Sequence, residues 1–421
     1  MKIPARKVLA ALLYLTLALL LSGCIKTSAD ELYQLPRTSR EFMKLQEQID
    51  AVLASGAEYA PPAGGDNRPS VQLADLDGDG VSEAIAFFVT TGENPLAIYI
   101  FRDVGDDYEV ADVIEGVGSG IESVRYVDMD GSGSMVLVVG WQVGPALRNM
   151  TLYSMRALQH TKLADADYTA LSVSDADGDG HPDVVAVRLG SSDAVGEATV
   201  FSLLGTGEIV SNSAHLSLGV ESLGRVLHGS LSDGTPAVFV DGKLSGGVLI
   251  TDIFAFSGST LKNVSLSSAG GVAFMTLRYP TMNATMNALD INRDGVVEVP
   301  LPRLLPSLST AAFYYRCDWY AYDLEGTQTL VMSTFHDYPD GWFLVLPPEW
   351  RYRISARLED RVNGERTMIF SLVGDSAVHD FLKIYTLSGD NREDREKLPN
   401  RFRLFKDWGT IYAAELIDDG S

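Results

Sequence analysis

Beyond residue 65 the apolar residues come in short runs broken by Gly, Asp, Asn and Ser, a rhythm that predicts strands. Glu83-Ala-Ile-Ala-Phe-Phe-Val89 and Asp183-Val-Val-Ala-Val187 are continuous apolar stretches rich in β-branched and aromatic residues, and they read as buried strands. A short segment precedes each of them (Ser70-Val-Gln-Leu-Ala74; Leu171-Ser-Val-Ser174). After a polar turn a second strand follows, as in Leu96-Ala-Ile-Tyr-Ile-Phe101 and Ala198-Thr-Val-Phe201, with Met150-Thr-Leu-Tyr153 and Ile250-Thr-Asp-Ile-Phe-Ala-Phe256 in the same role. More polar segments such as Tyr108-Glu-Val-Ala-Asp-Val113 close the units. Helical spacing stands out at Phe42, Leu45, Ile49, Val52 and Leu53, behind a capping-box pattern at Thr38-Ser-Arg-Glu41. It predicts one amphipathic helix over 39–55 that packs on the strand body, and Pro61-Pro62-Ala-Gly-Gly65 ends it.

The turns between the first two strands of several units are acidic and share one spacing. Asp75, Asp77, Asp79 and Glu83 occupy positions 1, 3, 5 and 9 of the first such loop. Asp175, Asp177, Asp179 and Asp183 do so in a second, and Asp290, Asn292, Asp294 and Glu298 in a third. Gly80, Gly180 and Gly295 stand at position 6, where a sharp turn must avoid a Cβ clash. Val81, His181 and Val296 stand at position 7, where the backbone carbonyl serves as a ligand. Calcium takes six to eight oxygens at ~2.3–2.6 Å, which alternate side chains of a tight loop can supply. The three loops therefore predict about three bound calcium ions. An EF-hand would carry a bidentate Glu at position 12 and flanking helices. Position 12 is Ala86, Ala186 and Leu301, and strand patterns follow the loops, so that reading is disfavoured.

A weaker copy, Asp128-Met-Asp130-Gly-Ser132-Gly-Ser134-Met-Val136, lies between the first two loops and lacks the position-9 acid. Asp128, Asp130 and Ser132 are accordingly only weak metal candidates. A fainter copy runs from Gly229 through Asp233 to Val240. The units thus recur at 75, 128, 175, 229 and 290, on the order of 50 residues apart, the sequence signature of a propeller or solenoid. About four short strands per unit with no helix between them suits propeller blades. On these loop residues, over roughly 66–340, the chain resembles the FG-GAP/VCBS repeats of integrin-like β-propellers. The resemblance implies an all-β-dominated fold, a propeller of about five to seven four-stranded blades with one calcium per complete inter-strand loop. It implies little about biological role.

The N-terminus carries a different signal. Lys2, Arg6 and Lys7 precede an apolar run from Val8 to Leu21, shorter than the ~20 residues of a membrane span, and then Leu21-Ser-Gly-Cys24. This predicts a secretory signal peptide over 1–23 and resembles a bacterial lipobox, which implies diacylation of Cys24; two acyl chains anchor stably. Residues 24–38 are a polar tether. The expected location is outside the cytoplasm, on a bacterial membrane. The net charge of −23 loses three basic and no acidic residues with the signal peptide, leaving about −26. That argues against nucleic-acid partners, which reward positive surface. The mature chain beyond Cys24 holds one cysteine, Cys317, which excludes an internal disulfide and reads as a buried small hydrophobe.

After residue 340 the acidic loop pattern disappears. Gly341-Trp-Phe-Leu-Val-Leu-Pro347-Pro-Glu-Trp350 has no upstream counterpart, and further strands follow, such as Glu365-Arg-Thr-Met-Ile-Phe-Ser-Leu-Val373. Residues 341–421 are expected to be a small C-terminal β-rich or α+β module, with degenerate closing blades as the alternative.

Catalytic motifs were sought among the remaining residues. The chain contains no P-loop, H-E-x-x-H or G-x-S-x-G, and the six histidines show no i, i+4 pair. Phe335-His-Asp-Tyr338 sets an imidazole beside a carboxylate, but neighbours on a strand face opposite ways. No catalytic residue is assigned. The expected function is a non-catalytic, calcium-stabilised, lipid-anchored surface protein that binds a protein or glycan. The alternative is an exported glycosidase or lyase using the propeller face.

Overall fold

The structure, a computed structural model, describes residues 40–417 except 106, 146, 268–269, 280–285, 307–311, 363 and 375–376. The expectations for residues 1–23, Cys24 and the 24–38 tether lie outside these residues. Helix α1 (Arg40–Ala54) stops where Gly56 turns left-handed at φ 95°, with Ser55 N and Gly56 N donating to Val52 O and Leu53 O. About half of the described residues are strand, joined by turns and loops. Among the described residues no helix is long and apolar enough to cross a membrane.

Six antiparallel sheets follow one another along the chain. The first contains β1 (Glu58–Tyr59), β2 (Val71–Ala74), β3 (Glu83–Val89), β4 (Leu96–Asp103) and β5 (Tyr108–Gly116). The second is β6 (Gly120–Val127), β7 (Val136–Gln142), β8 (Arg148–Ser154) and β9 (Thr161–Tyr168). The third is β10 (Ala170–Ser174), β11 (Asp183–Arg188), β12 (Glu197–Leu203) and β13 (Ile209–His215). The fourth is β14 (Val220–Ser230), β15 (Pro236–Leu244), β16 (Leu249–Ser257) and β17 (Thr260–Asn263). The fifth is β18 (Val299–Leu304), β19 (Tyr315–Tyr322), β20 (Gln328–Asp337) and β21 (Trp342–Val345). The sixth has β22 (Ile354–Val362), β23 (Glu365–Val373), β24 (Val378–Ser388), β25 (Arg401–Lys406) and β26 (Thr410–Leu416), in the order β22-β23-β24-β26-β25. A short helix α2 (Arg392–Glu396) leads into β25.

The continuous apolar strands are buried on both faces because each serves two cores. Alternate side chains of a strand point to opposite faces. On β7, Leu137 and Val139 pack with Ile85 and Phe87 of β3, while Val136 and Val138 pack with Val184 and Ala186 of β11. Val185 and Val187 of β11 then meet Val238 and Val240 of β15, whose Ala237 and Phe239 pack with Val299 and Tyr322. Phe335 and Leu346 continue this onto Met368 and Phe370 of the sixth sheet. A strand with no solvent face needs no polar alternation, which explains the uninterrupted runs.

Helix α1 buries Leu45, Ile49 and Val52 against Ala84, Ala86 and Phe88, the face of the first sheet turned away from the second. Phe42, assigned to the same stripe, is half exposed. The C-terminal region does not separate at residue 341. Residue pairs Thr334↔Val345 and Asp337↔Trp342 make β21 the last strand of the fifth sheet, so a boundary there would cut a hydrogen-bonded ladder. The sixth sheet shares the core around Phe335 and Phe370 with the fifth.

Candidate metal centres

The three complete loops link the incoming and outgoing strands of a unit in one register. Ala74 pairs with Glu83, Ser174 with Asp183 and Leu289 with Glu298, so the position-9 acid is always the first paired residue after the turn. In the fifth sheet the incoming strand is reduced to that single bridge. Pairing pulls the position-9 side chain inside: Glu83 is 1 % exposed, Asp183 3 % and Glu298 0 %.

The loop backbone wraps around the position-1 carboxylate. Asp75 accepts from Gly78 N at 2.8 Å and Gly80 N at 2.9 Å; Asp175 accepts from Gly178 N at 2.7 Å and Gly180 N at 3.0 Å. Asp290 accepts from Asp294 N at 3.1 Å and Gly295 N at 2.9 Å. Position 5 accepts from the position-7 amide: Val81 N to Asp79 at 2.7 Å, His181 N to Asp179 at 2.8 Å, Val296 N to Asp294 at 2.9 Å. The position-9 acid reaches back to the position-2 amide, with Leu76 N at 2.8 Å, Ala176 N at 2.8 Å and Ile291 N at 3.1 Å. Asp75, Asp77 and Glu83 thereby offer oxygens within 4.8 Å of one another, as do Asp175, Asp177 and Asp183. In the third loop Asn292 takes position 3 and its amide donates to Asp294 at 2.8 Å.

Such crowding of carboxylates raises proton affinity. Burial, followed by the neighbouring aspartates, pushes Glu83 up; burial also pushes Asp183 up to about 6 and Glu298 up to about 7. Glu298 also has an oxygen, Oε1, that is buried with no hydrogen-bond partner. A fully buried, unpartnered carboxylate oxygen is costly, and a hard cation would satisfy it, although Asp290, Asp294 and Glu298 do not bring their oxygens within 4.8 Å of one another as the acids of the other two complete loops do. The donor set is all oxygen and fits calcium: Asp290, Asn292, Asp294, Glu298 and the Val296 carbonyl would hold the ion. The other two loops would use their equivalents.

Position 4 is a requirement that sequence reading missed. Gly78, Gly131 and Gly178 have φ of 83°, 68° and 82° there, and in the third loop Arg293 adopts 64°. Left-handed backbone favours glycine, so the glycine at position 4 is a signal as informative as the one at position 6. A Cβ on Gly78 would also lie 2.8 Å from the Gly133 carbonyl carbon, which places the first loop in contact with the weaker 128–136 turn. The His181 side chain lies against the weaker 128–136 turn: a Cβ on Gly131 would meet its ring at 2.7 Å. Gly178 approaches Pro236, and Ser230 N donates to Gly295 O at 3.0 Å, so the five turns form one contiguous row.

The second loop keeps this course with different chemistry. Val127 pairs with Val136 in the same register, but position 9 is a valine, 2 % exposed and part of the core with Val138 and Met150. Asp128 accepts from Gly133 N at 3.0 Å as the position-1 acids of the complete loops accept from position 6, but its other oxygen, Oδ1, is buried without a hydrogen-bond partner. Asp130 is bound by the Arg156 guanidinium at 2.7 Å. Burial opposes ionisation of Asp130, yet hydrogen bonds from Ser132 and the Arg156 charge hold its carboxyl below the usual range. Arg156 thus supplies the positive charge here, a partner that lies 26 residues away and has no motif to announce it. In the fourth turn Asp233 accepts from Thr235 N at 2.9 Å and has no acidic company.

The remaining candidates are structural. His336 and Asp337 diverge: His336 bonds Thr334 at 2.8 Å, and burial pushes its pKa down to about 4, while Asp337 is paired with Arg366 at 2.8 Å. Cys317 is buried beside Met286 and Trp319, and burial pushes its thiol up.

No protein-family model matches the sequence, and no curated protein does. Among solved structures, an exotype rhamnogalacturonan lyase, YesX, aligns over 75 % of this chain at 16 % identity with a TM-score of 0.26, and the chain spans 62 % of that enzyme's length. A hypothetical protein from Leishmania major aligns over 70 % of this chain and 97 % of its own at 11 % identity, with a TM-score of 0.19. Likenesses this distant carry no functional argument.

Proposed function

We propose that the six sheets are the blades of a calcium-stabilised β-propeller, and that the chain is a non-catalytic, lipid-anchored protein that binds a protein or glycan outside the cytoplasm. The observation that carries the metal reading is the buried position-9 acid in three registered loops, with the orphaned oxygen of Glu298 as its sharpest instance. Calcium would tie the incoming strand to the outgoing strand by bridging positions 1 to 5 with position 9. The metal then acts as a cross-link in the fold, and its ligands are committed to it. The successive shared cores and the row of turns at one end support the blade reading. Leu21-Ser-Gly-Cys24 supports the anchor.

Calorimetric titration of calcium into chelator-treated protein that begins after Cys24 tests this reading, with thermal melts alongside. Uptake of about three ions with a raised Tm is expected, and each of Asp77→Ala, Asp177→Ala and Asp294→Ala should remove one ion. No uptake, or an unchanged Tm, refutes the metal reading. Fatty-acid incorporation that persists in Cys24→Ala refutes the anchor. Turnover in a polysaccharide panel would replace the binding reading with the glycosidase or lyase alternative.

A further inference from the structure

The sixth sheet presents an apolar surface that the metal loops do not explain. Its edge strand β25 is exposed along nearly its whole length, with Phe402 46 %, Leu404 52 % and Phe405 60 % exposed. Trp408, in the turn to β26, is fully exposed. Leu404 and Phe405 form one wall of a groove of about 440 Å³ whose other wall is Trp342, Phe343 and Leu344 of β21. A contiguous apolar surface of this kind marks a binding face.

We infer that this hairpin and its groove rest on the surface of a zwitterionic lipid bilayer. Charge is the first argument. Arg401 pairs with Glu365 at 2.8 Å, Arg403 with Glu396 at 2.5 Å and Lys406 with Glu393 at 2.8 Å, so the hairpin's three cations are neutralised, and Asp407 at the groove and Glu415 leave it no net positive charge. Between residues 349 and 417 acidic and basic side chains are equal in number, so the net charge of −23 is carried by the rest of the chain. An anionic surface would repel that body; a zwitterionic one does not, and tryptophan favours the headgroup level. Self-association is the competing occupant, and two features oppose it. Two chains of like charge repel, and the bulge between Arg403 and Phe405 together with the three cations of β25 blunts strand addition. Reach is the last argument, and it rests on the lipid-anchored reading. Sixteen residues separate Cys24 from Arg40, at most about 55 Å when extended, against a radius of gyration of about 22 Å for a compact chain of this length. The tether is thus about as long as the body is wide, which lets an anchored body turn well away from its attachment point.

The test uses the chain from residue 24 onward carrying Cys24→Ser, so that no acyl chain contributes, and phosphatidylcholine vesicles as the probe. Co-flotation with the vesicles is expected, insensitive to salt. A Trp emission shift that disappears in Trp408→Phe is expected with it. The double variant Trp408→Ser, Phe405→Ser should partition at least tenfold less while keeping its Tm and calcium uptake. Absence of flotation overturns the inference, as does partition unchanged in the double variant or seen only with anionic vesicles at low salt. A concentration-dependent dimer abolished by the double variant would show that a second copy covers the hairpin, and would overturn it equally. Because Cys24 is absent, these results are independent of fatty-acid incorporation, which tests the anchor alone.

Discussion

The second and third acidic turns lie against each other, follow the same backbone course and pair their strands in the same register. They differ at the residue that pairing drives inside: Val136 in one, Asp183 in the other. The valine joins the hydrophobic core, and Arg156 pairs with the Asp130 carboxylate, whose side chain is 8 % exposed. The aspartate brings a third negative charge beside Asp175 and Asp177, and it accepts from the Ala176 and Asp177 backbone amides rather than from a basic side chain. On the proposed metal reading, this buried position sets how much negative charge a turn leaves for an ion. Asp128 in the weak turn and Glu298 each keep one buried oxygen without a hydrogen-bond partner, so the valine alone does not satisfy its turn.

The largest effect expected from this contrast is on pH dependence. Without metal, folded Asp183 and Glu298 titrate near 6 and 7, above their ordinary values, so the folded state binds more protons than the unfolded state in between. Stability of the chelated protein should then fall as pH rises from about 4 through 7, by up to about 3 kcal/mol for each group. With calcium the slope should flatten or reverse, because ligands bind the ion deprotonated. Denaturant unfolding at pH 5 and 7.5, with calcium and with chelator, measures both; a chelated protein more stable at pH 7.5 would contradict the prediction.

Next in size is an attempt to erase the difference. Val136→Asp should cost about 3 kcal/mol or more, the penalty of an unpaired buried charge. Adding Arg156→Gln removes the competing cation. The double variant should take up a fourth ion and recover its Tm in calcium, as calorimetry and melts would show. A double variant that stays at three ions would mean that more than position 9 separates the loops.

A third comparison concerns position 4, where the second loop has Gly131 and the loop at 290–298 has Arg293 at φ 64°. Arg293→Gly should stabilise the folded protein by about 1 kcal/mol, with calcium affinity unchanged or higher. A loss of Tm would refute the strain. The smallest effect is expected from Arg156→Ala. Its side chain is half exposed, so the pair with Asp130 is solvent-screened and worth about 0.5 kcal/mol, read as a slight drop in Tm that salt abolishes.

Much of this was legible in the residues. The incoming and outgoing strands of the loops, the helix on Leu45, Ile49 and Val52, and the oxygen spacing of the loops follow from local rules: a side-chain period of 2 or 3.6, and a turn that must pass glycine at position 6. Three things were not. Arg156 reaches Asp130 across 26 residues, and nothing in either segment names the other. The strand at Trp342–Val345 was read with the segment that follows it because its Pro-Pro neighbour has no upstream counterpart, whereas its hydrogen bonds go back to β20. Phe42 fits the helical stripe by spacing yet stays half exposed, since it precedes the part of α1 that lies over Ala84 and Phe88.

The sequence alone determined the unit and its chemistry: strand, acidic turn, strand, with oxygens at alternating positions, because backbone period and metal coordination are both set within ten residues. Tertiary structure alone decided which carboxylates became buried and left without a cation, because burial comes from the neighbouring sheet. It also decided that the turns form one row, and that the aromatic hairpin of the sixth sheet is left exposed, since the packing of successive sheets is a long-range property that no single segment encodes.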